Sequence, residues 1–216
     1  MTDDEVLQLI LNELTSPTMG VTEQYLKIHQ PVYDEHGLKI ERIDREEKGN
    51  ITIAYLPVQG EYFYFAVYID SIKKEIYNVG TESRNIVSLR VTSEELTAAE
   101  LRGLTKLKVT KNWNKGDLKQ NKKAAYTFSC IQITPNPEPD EFENKLGKLL
   151  NYLKTDEDGI VALKTRANAW LQINMDFHAG NQLLGSASIS PECIKIMNEL
   201  GLGIDFDFAA WGEQFT

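Results

Sequence analysis

The run of residues 51–69 constrains the fold more than any other part of the chain. Two segments rich in β-branched and aromatic residues, 51–58 and 61–69, are separated only by Gln59-Gly60. A two-residue link that contains glycine, placed between two such segments, is typical of a β-hairpin. The sequence therefore predicts an antiparallel strand pair here, and neighbouring strands must extend a sheet around it.

The second strand of this hairpin has two different faces, because successive side chains of a strand point to opposite sides. One face carries Tyr62, Tyr64, Ala66 and Tyr68, and the other carries Phe63, Phe65, Val67 and Ile69. Two interpretations of the tyrosine row stay open. Tyrosine is enriched at protein interfaces, which favours a binding surface. Aromatic residues are also favoured in strands that another element covers, which favours a structural role.

Helices and strands alternate along the rest of the chain. Two capping boxes, Thr2 with Glu5 and Thr97 with Glu100, predict helix starts. An amphipathic helix is predicted over 142–153, and a shorter one begins after Ser190-Pro191. Strands are predicted around these further segments: 24–29, 38–43, 74–79, 86–91, 125–133, 169–178, 183–189 and 204–208.

This order of elements predicts an α+β fold, in which antiparallel sheets carry helices on one face. We expect a β-rich N-terminal part, residues 1–84, followed by a C-terminal domain of α/β-sandwich type, residues 85–216. No flexible linker separates the two parts, so the sequence leaves open whether they share one core.

Composition narrows the class of partner. The chain has a formal net charge of −9, which disfavours nucleic acids and anionic membranes as partners, although residues 105–123 contain seven lysines. No apolar run approaches the roughly 20 residues of a membrane span. The acidic N-terminus is unlike a signal peptide, and Cys130 and Cys193 lie too far apart to suggest a metal motif. We expect a soluble, cytoplasmic protein with reduced cysteines and no cofactor.

The familiar catalytic motifs are missing from the sequence, and one polar cluster is the only candidate for chemistry. Asp176 and His178 share one face of the predicted strand 169–178, and Asp205 and Asp207 share one face of the last strand. If the two strands pair, these side chains would supply ligands for a divalent metal or an acid/base pair. A hydrated sheet face explains the same pattern.

Two tryptophans are candidates for partner contacts. Trp113 lies among lysines and turn residues, and Trp211 lies near the chain end. Tryptophan is the residue type most enriched where interfaces carry binding energy, but it also plugs the edge of many cores. Together with the polar and aromatic positions above, the predicted contact residues are Tyr62, Tyr64, Tyr68, Trp113, Asp205, Asp207 and Trp211.

The last ~130 residues resemble a bacterial family known as a domain of unknown function, DUF4279. The resemblance rests on the strand and capped helix of 86–104 that lead to Trp113-x-Lys115-Gly116-Asp117, and on the strand–helix–strand succession of 125–178. The most specific part is the closing run from Ile189-Ser190-Pro191-Glu192 to the strand 204–208. Thr105-Lys106 and Val109-Thr110 depart from the Leu-Gly and Pro-Thr often found in the family. The resemblance implies the fold and supplies no activity.

Binding is therefore the leading functional hypothesis. We expect a non-enzymatic bacterial protein that binds another protein, most concretely an immunity-type protein that neutralises a basic toxin or effector. The alternative is a metal-dependent or acid/base enzyme that uses Asp176, His178, Asp205 and Asp207. A homo-oligomer that pairs through the tyrosine face is a third possibility.

Overall fold

The structure, a computed structural model, describes residues 1–47, 49–119, 123–180 and 187–213. Its helices are α1 Asp3–Thr15, α2 Gly20–Ile28, α3 Ala98–Arg102, α4 Phe142–Leu153, α5 Glu157–Arg166 and α6 Pro191–Leu200. Its strands are β1 Tyr33–Asp34, β2 Gly37–Leu38, β3 Arg42–Asp44, β4 Ile51–Pro57, β5 Tyr64–Asp70, β6 Glu75–Glu82, β7 Arg84–Ser93, β8 Lys111–Trp113, β9 Ser129–Ile133, β10 Asn168–His178 and β11 Gly203–Trp211. The predicted α+β class is confirmed.

The first sheet forms around the predicted hairpin. Its order is β3-β4-β5-β6, all antiparallel, and β4 pairs with β5 from Ile51 opposite Asp70 to Pro57 opposite Tyr64. Helices α1 and α2 cover one face, where Val6, Ile10 and Tyr25 pack on the Phe65, Val67 and Ile69 side of β5. The alternation of β5 therefore separates a deeply buried face from the tyrosine face.

The strand predicted at 24–29 is wrong, because this segment lies mostly in helix α2. Thr22, Tyr25 and Leu26 recur at helical spacing, and the first two are completely buried. A helix allows these side chains to meet the sheet together, whereas a strand would turn neighbouring side chains to opposite sides. Of the strand predicted at 183–189, residues 183–186 lie outside the described residues, and 187–189 have no regular secondary structure.

The second sheet has the order β11-β10-β7-β9-β8. Its pairs are antiparallel except for β10 and β11, which run parallel from Trp170 opposite Gly203 to His178 opposite Trp211. A parallel neighbour needs a crossover, which the segment with α6 provides. The last strand therefore joins the sheet edge without forming a hairpin.

Helices cover one face of the second sheet. The main core lies between them and the apolar side of β7, β9 and β10, where Leu89, Ile131 and Ile173 are completely buried. Helix α4 contributes four leucines that are also completely buried, Leu146, Leu149, Leu150 and Leu153. The expected packing of helices on one face is confirmed for this sheet, and its other face carries mainly polar and aromatic side chains.

Ion pairs and hydrogen bonds join the two sheets at one buried carboxylate. Asp140, which directly precedes the N-cap residue of α4, has a completely buried side chain. It pairs with Arg42 of β3 at 3.1 Å and with Lys148 of α4 at 3.0 Å. The Arg42 guanidinium also pairs with Asp44 at 2.9 Å. These charges compensate one another and fix β3 against α4.

Among the described residues, no helix is both long and apolar enough to cross a lipid bilayer.

Candidate functional site

The helix-free face of the second sheet, which we call the open face, is ordered by strand register. Side chains opposite one another in paired strands lie on the same face. Across β7, β10 and β11 the rows are Ser88, Gln172 and Asp205; then Ile86, Asn174 and Asp207; then Arg84, Asp176 and Ala209. On the other side of the Ser88 row lie Trp170 and Arg90, and Trp113 of β8 lies one row further in that direction.

Trp211 and Tyr62 form an exposed aromatic corner of the open face. Their ring centroids lie 5.0 Å apart, and they expose 41% and 48% of their surface. The Trp211 indole Nε1–H donates to Asp176 at 2.8 Å, and the Arg84 guanidinium lies 5.9 Å from the Tyr62 ring centroid. The corner therefore combines two exposed aromatic rings with polar groups, Asp176 and Arg84, that contact those rings. This composition is typical of residues that anchor a protein interface.

Asp205 and Asp207 give the β11 side of the face its negative charge. Asp207 accepts hydrogen bonds from the side-chain amides of Gln172 at 3.0 Å and Asn174 at 3.3 Å. Asp205 is exposed and makes no hydrogen bond or ion pair with the residues that the structure describes. One carboxylate is thus positioned, and the other is available to a partner.

The opposite end of the face is aromatic and basic. The Arg90 guanidinium lies 5.8 Å from the ring centroid of Trp113, 5.9 Å from that of Phe128 and 5.7 Å from that of Trp170. Trp113 also stacks on Tyr126, with centroids 4.6 Å apart. The Arg90 Nε–H and Trp113 Nε1–H groups are buried and meet no acceptor within the described part of the chain.

Tyr64 and Tyr68 lie on the other side of the first sheet from its helices. They pack with Ile53, Tyr55 and Ala66 in a small cluster of their own. The Tyr68 hydroxyl donates a short hydrogen bond to Glu82, and burial raises the pKa of both groups. The two tyrosines are only partly exposed, unlike Tyr62, so the predicted row of contact residues is divided between two environments.

The predicted metal ligands are spread along the sheet. Asp205 lies opposite Gln172, six residues along β11 from the partner of His178, which places it roughly 20 Å from His178. Metal ligands lie within ~2.6 Å of the ion. The residues with described placement contain no group of three or more His, Cys, Asp or Glu side chains arranged to hold a metal ion. The geometry therefore gives no support to a single metal site formed by all four residues.

His178 packs against the N-terminal part of the chain instead. It is 2% exposed, and its Nε2 lies 3.0 Å from Nε2 of His29, the residue that follows α2. Burial lowers the pKa of His178. Phe63 lies against both imidazoles, with ring centroids 5.3 Å from His29 and 4.7 Å from His178. The pair therefore belongs to the contact between the two parts of the chain.

The sequence analysis did not identify three residues of the open face and of the adjoining histidine contact: Arg90, Trp170 and His29. For Arg90 and Trp170 a signal existed, because both alternate with core residues in predicted strands and so occupy the polar face. For His29 the sequence offers no signal. Both cysteines are free and buried, and burial raises the pKa of the Cys130 thiol to about 11, which makes it a poor nucleophile.

The chain is a two-sheet α+β protein. One of its sheets has helices on one side and an open aromatic and charged face on the other. A family model described as "Domain of unknown function (DUF4279)" matches residues 81–211. The match covers more than half of the chain, and the chain belongs to the DUF4279 family. Neither a curated protein nor a solved structure matched the chain.

Proposed function

We propose that this chain is a non-enzymatic protein that binds another protein through the open face. The observation that carries the proposal is the presence of Trp113, Asp205, Asp207 and Trp211 on one sheet face, with Tyr62 beside Trp211. Aromatic anchors and charges on a rigid sheet form a prepared contact surface, because little conformational entropy is lost on binding.

The size of the open face suits a protein partner. From Trp170 to Asp176 it extends about 20 Å along β10, and its five strands span roughly 19 Å, at about 3.3 Å per residue and 4.8 Å per strand. The flat area of roughly 400 Å² is about half of the ~800 Å² that each partner of a standard interface buries. Tyr62 enlarges the surface at one corner.

The charge pattern favours a partner with a basic contact region. Asp176, Asp205 and Asp207 lie near the β11 edge, and the whole chain carries a net charge of −9. Such a surface attracts a basic protein over a distance and accelerates association, to an extent that falls as salt rises. At the aromatic end, the partly exposed Arg90 guanidinium would donate hydrogen bonds to carbonyl or carboxylate groups of the same partner.

The concrete form of the proposal is an immunity-type protein of a bacterial cytoplasm that neutralises a basic toxin or effector. Its support is the acidic face and a surface geometry suited to covering a basic active site. A nuclease, for example, presents a basic cleft to its substrate, and an acidic protein competes for that cleft.

Affinity capture with matched variants tests the proposal. The immobilised wild-type chain, Asp205→Lys and Asp158→Lys are each exposed to a lysate of the source cell. Asp205 is exposed on the open face, and Asp158 is exposed on helix α5 of the covered side. We expect a basic protein to be retained by wild type and Asp158→Lys, and to be at least tenfold depleted on Asp205→Lys. Equal retention by all three would overturn the proposal.

A further inference from the structure

The two large sheets end in four edge strands, and three of them are protected against pairing with another chain. Strands β3 and β8 are three residues long, and β8 begins with a lysine. The pairing of β6 with β5 is irregular between Tyr68 and Ile69. Short length, lysine and irregular pairing are the features that usually block an edge.

Strand β11 has none of these three features, and its only charges are the carboxylates of Asp205 and Asp207. It is nine residues long, contains no lysine or proline, and pairs regularly with β10 over its whole length. No described residue pairs with its outer edge. An edge of this length offers a row of backbone donors and acceptors to an extended segment.

The backbone direction at this edge follows from one hydrogen bond. The Trp211 carbonyl accepts from the Ala179 amide, on the β10 side. Because the peptide groups of a strand alternate in direction, the N–H and C=O groups of Ile204, Phe206, Phe208 and Ala210 point away from β10. Because the Ala210 N–H points outward, it can be removed without loss of a hydrogen bond to β10.

Side chains above and below the edge define the segment that would fit. On the open-face side lie Asp205 and Asp207, and on the other side lie Ile204, Phe206 and Phe208, of which Phe208 is 59% exposed. A strand added here places its own alternate side chains beside these two rows. Basic residues would meet the carboxylates, and apolar residues would meet the phenylalanines.

A second copy of this chain fits the edge poorly. Two β11 strands related by a twofold axis would bring the Asp205 and Asp207 carboxylates of one copy next to those of the other. Like charges on neighbouring strands destabilise a sheet. The charge of the edge therefore favours a different chain.

We propose that the outer edge of β11 accepts an extended segment of the partner protein, about seven residues long, in which basic and apolar residues alternate. This inference rests on the proposed protein-binding function and specifies how the partner docks: by adding a sixth strand to the sheet.

The probe is an acetylated, amidated octapeptide of alternating lysine and valine, titrated into the full chain by calorimetry. We expect saturable one-to-one binding, and no binding of a glutamate–valine peptide of the same length. Two further peptides are methylated on the backbone nitrogen of all lysines or of all valines. Because alternate N–H groups point to opposite edges, one methylated peptide should bind at least tenfold more weakly and the other should bind nearly as well. Equal behaviour of the two, or no binding of the parent peptide, would overturn the inference.

A pair of variants tests the edge from the side of the protein. Ala210→Pro removes an outward N–H, and a proline is tolerated at an edge strand in this position. Ala210→Val keeps the N–H and serves as the matched control. We expect at least a tenfold loss of peptide affinity for Ala210→Pro and an affinity within twofold of wild type for Ala210→Val. A fall in sedimenting mass from dimer to monomer in Ala210→Pro would show that a second copy occupies the edge, against the inference.

The same variants separate this inference from the function on which it rests. If Ala210→Pro still captures the protein that Asp205→Lys loses, the open face binds and the edge does not, so only the inference fails. If neither variant changes capture, both proposals fail. Loss of capture by both variants supports both.

Discussion

The Nε2 atoms of His29 and His178 lie 3.0 Å apart where the N-terminal helices meet the second sheet. The Nε2 of His178 also lies 2.8 Å from the carbonyl oxygen of Glu213. A carbonyl only accepts hydrogen bonds, so His178 carries a hydrogen on Nε2 and donates it to Glu213. The contacts of His178 link three distant parts of the chain.

Acidification should therefore weaken the fold through His178. Burial lowers the pKa of His178 in the folded chain below the usual value of 6.5, which applies to the unfolded chain. At a pH between these two pKa values, the unfolded chain therefore binds more protons than the folded one. The corresponding stability is fully present above pH 6.5 and is lost as pH falls below it. Urea unfolding at pH 7.5 and 5.5 should show a larger loss of free energy in wild type than in His178→Gln. The control is His36→Gln, at an exposed histidine, which should keep the wild-type difference.

Substitution of Asp140 should lower the free energy of unfolding more than substitution of most other polar residues. Asp140→Ala leaves the Arg42 guanidinium, which is only 15% exposed, with Asp44 as its remaining buried partner, and removes a partner of Lys148. Breaking a buried ion pair in this way costs about 3 kcal/mol of unfolding free energy. Glu46→Ala also removes a partner of Lys148, but Glu46 is 67% exposed and the loss should stay below about 1 kcal/mol. Equal losses in the two variants would contradict the assigned role of Asp140.

Two helix glycines should respond to alanine in opposite directions. At Gly147 in α4 an added Cβ meets nothing within 4 Å, so Gly147→Ala should stabilise the chain by about 0.5–1 kcal/mol. At Gly159 in α5 the added Cβ would overlap the Asp156 carboxylate, which accepts from Thr105 and from the Lys106 amide, both at 2.7 Å. Gly159→Ala should therefore destabilise by about 1–3 kcal/mol. The denaturant midpoint of each variant shows whether its free energy of unfolding rises or falls. A stabilised Gly159→Ala would contradict the packing described.

Local patterns predicted much of the fold because their causes are local. Both capping boxes form, with Glu5 and Glu100 bonded back to the threonines, and Ser190 caps α6. The hairpin follows from its glycine turn and from strand propensity. The helix at α2 escaped prediction because a segment of nine residues carries too few turns for its periodicity to stand out.

The arrangement of the candidate site depended on contacts that no local pattern specifies. Asp205 and Asp207 were predicted to share one strand face and to meet Asp176 if the two strands paired, but the register was open. Their relation to Gln172 and Asp176 follows from a parallel register. A shift of one residue would turn each of these side chains to the other face. The contact of His29 with His178 joins residues 149 positions apart, and only tertiary packing brings them together.

Site-specific photo-cross-linking in the source cell shows whether the open face contacts another protein. A benzophenone amino acid replaces Trp211 on the open face or, as a control, Val161 on helix α5, which is 58% exposed. We expect an adduct with one heterologous protein from position 211 and none from position 161. No adduct at position 211, or the same adducts from both positions, would rule out binding through the open face.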